Sequence, residues 1–266
     1  MFRPFTSLSL LISAAALVAG REARAQSVSP PIAEYRENAK ASYRVSNQSV
    51  FPLTVVLQVK GFVVDEAGEL RDVPLDTTRV QVKLSVLSFR LQPRQTYTVF
   101  YEASTDSAPA WFNIWNNITG ARTESGINVR IELPHVVYLN QRERLEESDV
   151  RLVSAVHRPG DHRVTIELEN LSPRIGRARS IVVSAPGTKT ADGPAFPLFP
   201  NSRRRVVVPW EAVQAPTRVE VRFDGFRLAT DSIATDTTTV VPVTNPAGMS
   251  GTRAGVDTAG DSTAAR

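Results

Sequence analysis

The chain contains three histidines, and two of them lie close together. His157 and His162 bracket Asp161 in the run His-Arg-Pro-Gly-Asp-His, a donor set of the kind that binds divalent metals. The Pro-Gly between them marks a turn, and turns gather polar side chains for backbone reasons. The run therefore reads as a turn, and no metal is expected. His135 follows Pro134 within an apolar run and reads as a packed or edge residue. Carboxylates pair at Asp65-Glu66 and Glu146-Glu147. General acid–base work needs one such carboxyl kept from water, and both pairs lie in turn-like stretches. Arg203-Arg204-Arg205 precedes a strand-like run and reads as a solvated edge. Trp111-Phe112-Asn113-Ile114-Trp115 could stack a ligand, but strand alternation puts Phe112 and Ile114 on one face, which favours a core strand. No nucleophile elbow, phosphate loop, zinc helix or dinucleotide glycine pattern occurs. With no cysteine, thiolate metal sites, iron–sulfur clusters and cysteine nucleophiles are excluded. The residues point to a binding protein without a cofactor, not to an enzyme.

The ends of the chain say where it works. Leu8 to Gly20 is almost wholly apolar but short of the ~20 residues that span a bilayer. Arg3 precedes it and Ala23-Arg24-Ala25 follows, the pattern of a cleaved secretory signal over residues 1–25. Export to the periplasm is expected, with no membrane insertion afterwards. Removal of this segment lowers the formal charge of +4 to about +2, scattered along the chain, which is too little for a nucleic-acid footprint. From Thr235 the sequence turns to Thr, Ala, Gly, Ser and Asp, and a disordered tail is expected over 235–266.

Between these ends the dominant signal has period two. Ala41, Tyr43 and Val45 alternate with polar residues, as do Val55, Leu57 and Val59, then Val80, Val82, Leu84 and Val86, then Tyr97, Val99 and Tyr101. Ile127, Val129, Ile131 and Leu133 repeat the pattern. Such alternation puts one face on a core and the other outward, and turn residues separate the runs at Ser46-Asn47-Gln48, Asp65 to Gly68 and Leu91-Gln92-Pro93. After a charged stretch over 141–149, strand-like runs resume at Val150 to Val156, Val164 to Leu168, Ile181 to Val183, Arg205 to Val208 and Val219 to Phe223. The expectation is an all-β chain of two sandwiches, residues 26–140 and 150–234, joined by a linker over 141–149.

The order of these features resembles the PapD-like periplasmic chaperones of pilus assembly, over roughly residues 28–230. Val28-Ser29-Pro30-Pro31 is similar to the family's opening strand, Ala41 to Asn47 to its second strand and asparagine turn, and Leu91 to Gln95 to its Leu-x-Pro turn. Trp111 to Ile114 resembles the strand before the long loop, Ile127 to Leu139 the last strand of the first domain, and Val164 to Asn170 a second-domain strand ending in Asn. The resemblance implies two immunoglobulin-like domains in tandem, pilin-like subunits as partners, an outer-membrane usher as a further partner, and a role in fimbrium biogenesis. It also implies donor-strand complementation, in which Ile127, Val129, Ile131 and Leu133 fill the open groove of a subunit. Asn116 to Gly126 would be the mobile loop before that strand. The family's basic pair, which anchors a subunit's terminal carboxylate, falls on Ile32 and Val136, neither of them basic. Arg36 and His135 stand nearby as possible substitutes. The other reading is a client-free structural or adhesive envelope protein.

Overall fold

Alternating apolar side chains do build strands along the chain. The computed structural model describes residues 26–122 and 128–237; the expectations for the signal, for Ile127 and for the tail beyond 237 lie outside them. The first ten strands are β1 (Ser27–Ser29), β2 (Ile32–Arg36), β3 (Asn38–Ser46), β4 (Leu53–Val64), β5 (Leu70–Val73), β6 (Val80–Leu84), β7 (Ser88–Leu91), β8 (Thr96–Thr105), β9 (Ala110–Arg122) and β10 (Asn128–Asn140). They form two facing sheets. One runs β1-β3-β8-β6, the other β2-β10-β9-β4-β5 with β7 also on β4. Pro30-Pro31, which cannot donate to a ladder, carries the chain from the first sheet at β1 to the second at β2. Between the sheets Tyr43, Val45, Leu53, Val55, Val99, Phe112, Ile114, Ile118 and Leu139 are buried in one core. Each such side chain contributes about 1.5–3 kcal/mol on leaving water.

Nine more strands make the second sandwich: β11 (Val150–Arg158), β12 (Arg163–Asn170), β13 (Gly176–Ser184), β14 (Ala191–Gly193), β15 (Phe196–Leu198), β16 (Arg203–Pro209), β17 (Arg218–Phe223), β18 (Arg227–Thr230) and β19 (Ala234–Thr235). Its sheets are β16-β12-β11-β19 and β14-β13-β17-β18, with β15 on β13. The two domains repeat one device at a strand end. Asn47 is fully buried and its amide donates to the carbonyls of Phe51, Leu91 and Gln92, while its oxygen accepts from Ser49. Asn170 does the same for Arg174, Phe199 and Ser172.

Several boundaries differ from those expected. Asn116 to Arg122 is not loop but the end of β9. Asn116 is fully buried, accepts from the Tyr43 hydroxyl at 3.1 Å and donates to the Leu133 carbonyl at 3.0 Å, and Ile118 fills the core one pleat on. The buried asparagine takes an inward position that sequence alternation assigns to an apolar residue. The tail boundary moves too: Ala234 and Thr235 pair in parallel with Val156 and His157, and the Asp236 N–H donates to the His157 carbonyl at 2.8 Å. The stretch 141–149 is pinned, with Leu145 buried in the second core and Gln141 exchanging hydrogen bonds with the Ile175 backbone.

The domains meet through an aromatic cluster of Phe62, Tyr138, Phe199 and Trp111, with Ile175 beside it. Trp111 lies 4.8 Å from Phe199 between ring centroids and donates its indole N–H to the Phe62 carbonyl. At Trp111 the outward face of β9 therefore receives the second domain, while Trp115 on the same face donates to Asp72 under Lys60. The arginine run is also engaged. The Arg205 N–H donates to the Glu66 carbonyl at 2.7 Å, and Arg204 lies over Gly68. Gly68 has φ +93, and a Cβ there would collide with the guanidinium, so a side chain is excluded twice over. The expected solvated edge at Arg203 to Arg205 is thus partly an inter-domain contact, because β16 abuts the turn between β4 and β5.

Candidate functional site

β10 is the strand on which the expected binding residues lie. On one side β9 pairs with it from Asn128 to Leu139. On the other, β2 covers only Val136 to Asn140. Among the described residues no strand pairs with that edge over Asn128 to Pro134. The half-covered arrangement follows from the chain path, since β2 cannot begin before the prolines that bring it across.

The direction of the backbone groups on this edge is set by strand alternation. The Val136 N–H donates to the Pro31 carbonyl at 2.8 Å and the Asn140 carbonyl accepts from Glu37 at 3.0 Å, both on the β2 side. The Leu133 carbonyl points the other way, to Asn116 on β9. Even-numbered residues therefore offer their N–H and C=O groups to the bare edge, and odd-numbered ones bond to β9. Asn128, Arg130 and Glu132 each present a donor and an acceptor; Pro134 presents a carbonyl alone. The one irregularity, between Val129 and Ile131, places its extra residue on β9, where Gly120 takes φ +92, so the alternation of β10 is unbroken.

Side chains alternate with the backbone. Val129, Ile131 and Leu133 are half-buried and pack on the first core at its open margin. Arg130 and Glu132 face out, joined at 2.9 Å, with Arg130 also donating to Asn117. Three of the four expected donor residues thus share one face of a bare edge. Ile127, the fourth, lies outside the described residues.

His135 closes the bare stretch and is not available as an anchor. It is fully buried. Its Nδ1 lies 2.7 Å from the Pro30 carbonyl, which can only accept, so Nδ1 carries the proton and Nε2 accepts from the Tyr101 hydroxyl at 3.1 Å. The ring stacks on Tyr43 at 4.3 Å. With both nitrogens used and the ring fully buried, His135 cannot meet a carboxylate. Its visible role is positional: it ties β10 to the proline crossing. Burial holds its pKa below the ordinary value of 6.5, and burial lowers that of His157 too, whose Nδ1 has no hydrogen-bond partner. A base with a depressed native pKa binds more protons when unfolded, so stability is full above the unfolded value and declines as pH falls through about 6.5 and below. Thermal midpoints measured from pH 7.5 to 5 are expected to fall, and His135→Gln is expected to flatten that slope.

Arg36 has the opposite character. It is exposed at the end of β2 and lines a cleft of about 590 Å³ between the domains, with Asn140, Arg142, Arg144 and Arg177. Ile32 and Val136, where a basic pair was looked for, are register partners, and four residues on Arg36 partners Asn140. Four residues is two full pleats, so Arg36 shares the outward face of Ile32, about 13 Å along the strand. Its neighbours are committed elsewhere: Arg177 to Glu34 at 2.6 Å and Arg142 to Glu37 at 2.8 Å. Arg36 has no ion pair among the described residues. The other histidine cluster brings nothing together, since no group of three His, Asp or Glu side chains gathers for a metal among the described residues. Nor is any described helix long and apolar enough to cross a membrane.

No protein-family profile matches the chain, and no curated protein does. Solved structures do. A chain of the Salmonella enterica SafA pilin in complex with the SafB chaperone matches over 78% of this chain and 96% of its own, at 13% identity and a TM-score of 0.50. The E. coli chaperone DraB matches over 78% and 97%, at 13% identity and a TM-score of 0.43. The class 5 fimbriae chaperone CfaA matches over 77% and 98%, at 9% identity and a TM-score of 0.45. With its two sandwiches and a half-covered last strand in the first, the chain has the two-domain all-β fold of the fimbrial chaperones.

Proposed function

We propose that the chain is a periplasmic chaperone that holds pilin-like subunits by lending them the bare edge of β10. The observation that carries this reading is the coincidence, over Asn128 to Pro134, of unpaired main-chain groups with three apolar side chains on one face. A sandwich lacking one strand has an open groove that needs both. Main-chain hydrogen bonds would extend its sheet, and Val129, Ile131 and Leu133, with Ile127 one pleat earlier, would fill its core. Long bare edges with apolar side chains are an aggregation hazard that proteins ordinarily cover, so one kept open is in keeping with a use. The unpaired Arg36 guanidinium, in the cleft beyond the far end of β10, would hold the subunit's terminal carboxylate from a position displaced along β2. An outer-membrane usher would be the second partner.

The test is co-export with a pilin-like subunit, best one from a neighbouring gene. A stable 1:1 complex recovered from the periplasm is expected. The absent basic pair at Ile32 and Val136 favours a client-free envelope protein instead, and that reading stands if the chain co-purifies with no subunit and no pilin-like or usher-like gene lies beside its own.

A further inference from the structure

Arg144 shares the inter-domain cleft with Arg36 and, like it, has no ion pair among the described residues. The carboxylates that line the cleft are those of Glu34, Glu143 and Asp224, and each already has an arginine. Glu34 pairs with Arg177 at 2.6 Å and Glu143 with Arg174 at 3.5 Å, while Asp224 accepts from Arg179 through both oxygens. Arg142 is taken by Glu37. Asp224 feels the charge of Arg144, but Arg179 occupies both of its oxygens. The guanidinium groups of Arg36 and Arg144 are left over.

The backbones that carry these two groups are fixed. Arg36 closes β2 opposite Asn140, whose carbonyl accepts from the Glu37 N–H. The Arg144 carbonyl accepts from Arg174, and Leu145 next to it is buried in the second core. One charge is thus presented by the first domain and the other by the segment pinned to the second. The cleft is also larger than a single anchor needs. Its volume of about 590 Å³ falls among sites that enclose a whole small ligand, roughly 300–1,000 Å³, and a lone carboxylate fills a small part of it. Tyr35 and Tyr138 from one domain and Phe226 from the other line it, and apolar walls strengthen an ion pair made between them.

We propose that the cleft reads two anionic groups at once: the terminal carboxylate of a bound subunit at Arg36, and an acidic side chain in the last two residues of that subunit at Arg144. The inference rests on the client reading and narrows it to subunits whose end is acidic. No existing ion pair has to break for either contact, because every carboxylate in the cleft keeps its own arginine. A neutral end leaves Arg144 hydrated and loses only the second contact, so the cleft ranks clients by charge and does not exclude the others.

The test titrates the purified full chain, without a subunit, with short peptides followed by NMR. Acetyl-Ala-Asp-Ala and acetyl-Ala-Ala-Asp each supply two carboxylates; their Asn counterparts supply one. The better acidic peptide is expected to bind about fivefold tighter than its Asn counterpart. Arg144→Gln is expected to remove that preference and leave the Asn peptides unaffected, whereas Arg36→Gln is expected to weaken all of them alike. Both arginines are exposed, and circular dichroism checks that each variant folds. Equal binding of acidic and neutral peptides, no binding of any, or a preference that survives Arg144→Gln overturns the proposal. Capture of a subunit by a chain without the acid preference removes the second contact and leaves strand lending standing; the preference in a chain that captures no subunit keeps the two-point cleft and overturns strand lending.

Discussion

Replacing Ile131 with lysine is expected to abolish capture of a pilin-like subunit while leaving the chain folded. Each apolar side chain lent to a subunit groove contributes about 1.5–3 kcal/mol. Lysine forfeits that and carries a charge into an apolar core, where an unpaired charge is still more costly. A loss of at least about a hundredfold in affinity follows, near 2.7 kcal/mol. The free chain should tolerate the change. Ile131 is only half-buried at the margin of its own core, so the lysine stem can lie along that margin with its ammonium in water. The thermal midpoint is expected to drop by a few degrees at most. Val129→Lys should behave alike. Val213→Lys, at a fully exposed position of the second domain, should leave the complex unaffected. Pull-down of the co-exported subunit reads all three. Normal capture by the Ile131 and Val129 variants would sink strand lending.

Removing the Phe199 ring is expected to uncouple the two domains. The ring meets Phe62, Trp111 and Tyr138 at centroid distances of 6.2, 4.8 and 6.3 Å. Phe→Ala changes at buried sites cost about 3–5 kcal/mol. Here the loss falls on the contact between domains, because the Phe199 backbone remains tied to Asn170 and Ser202. Calorimetry of the Phe199→Ala variant is expected to resolve two unfolding transitions where the native chain gives one. Among the remaining inter-domain contacts, the ion pairs of Arg177 with Glu34 and Arg205 with Glu66 are exposed or partly so and contribute little. A single transition at the native midpoint would mean that those polar contacts, and not the aromatic cluster, hold the domains together. The consequence for function is direct. Tyr138 belongs to β10, which β2 pairs directly, so the cluster sets how the second domain's wall of the cleft, with Arg177, stands relative to Arg36.

The two sandwiches and the strand that matters were legible because they depend on period-two alternation. Tyr43, Val45, Val55, Val99 and Ile131 announce their faces through their neighbours. What alternation hides is a polar residue in an inward position: Asn116 made the end of β9 look like loop. Short strands such as β5, β14 and β19 carry too few residues to show a period at all. The inter-domain contacts were illegible for a different reason. Trp111, Gly68 and Arg204 meet partners more than 80 residues away or in another domain, and nothing local marks such a pairing, although an invitation existed in Trp111 facing away from its own core. The candidate site divides similarly. Val129, Ile131 and Leu133 could be read from the strand. That their edge is bare depends on where β2 begins, and that His135 is spent on Pro30 and Tyr101 depends on a crossing of two sheets.

Amide hydrogen exchange along β10 tests strand lending most directly. The bare edge carries the N–H groups of Arg130 and Glu132, while those of Ile131 and Leu133 already bond to β9. In the chain without a subunit, Arg130 and Glu132 are expected to exchange fast and Ile131 and Leu133 slowly. With a pilin-like subunit bound one to one, Arg130 and Glu132 are expected to become as protected as their neighbours. If those two amides exchange equally fast with and without the bound subunit, β10 is not the strand that is lent.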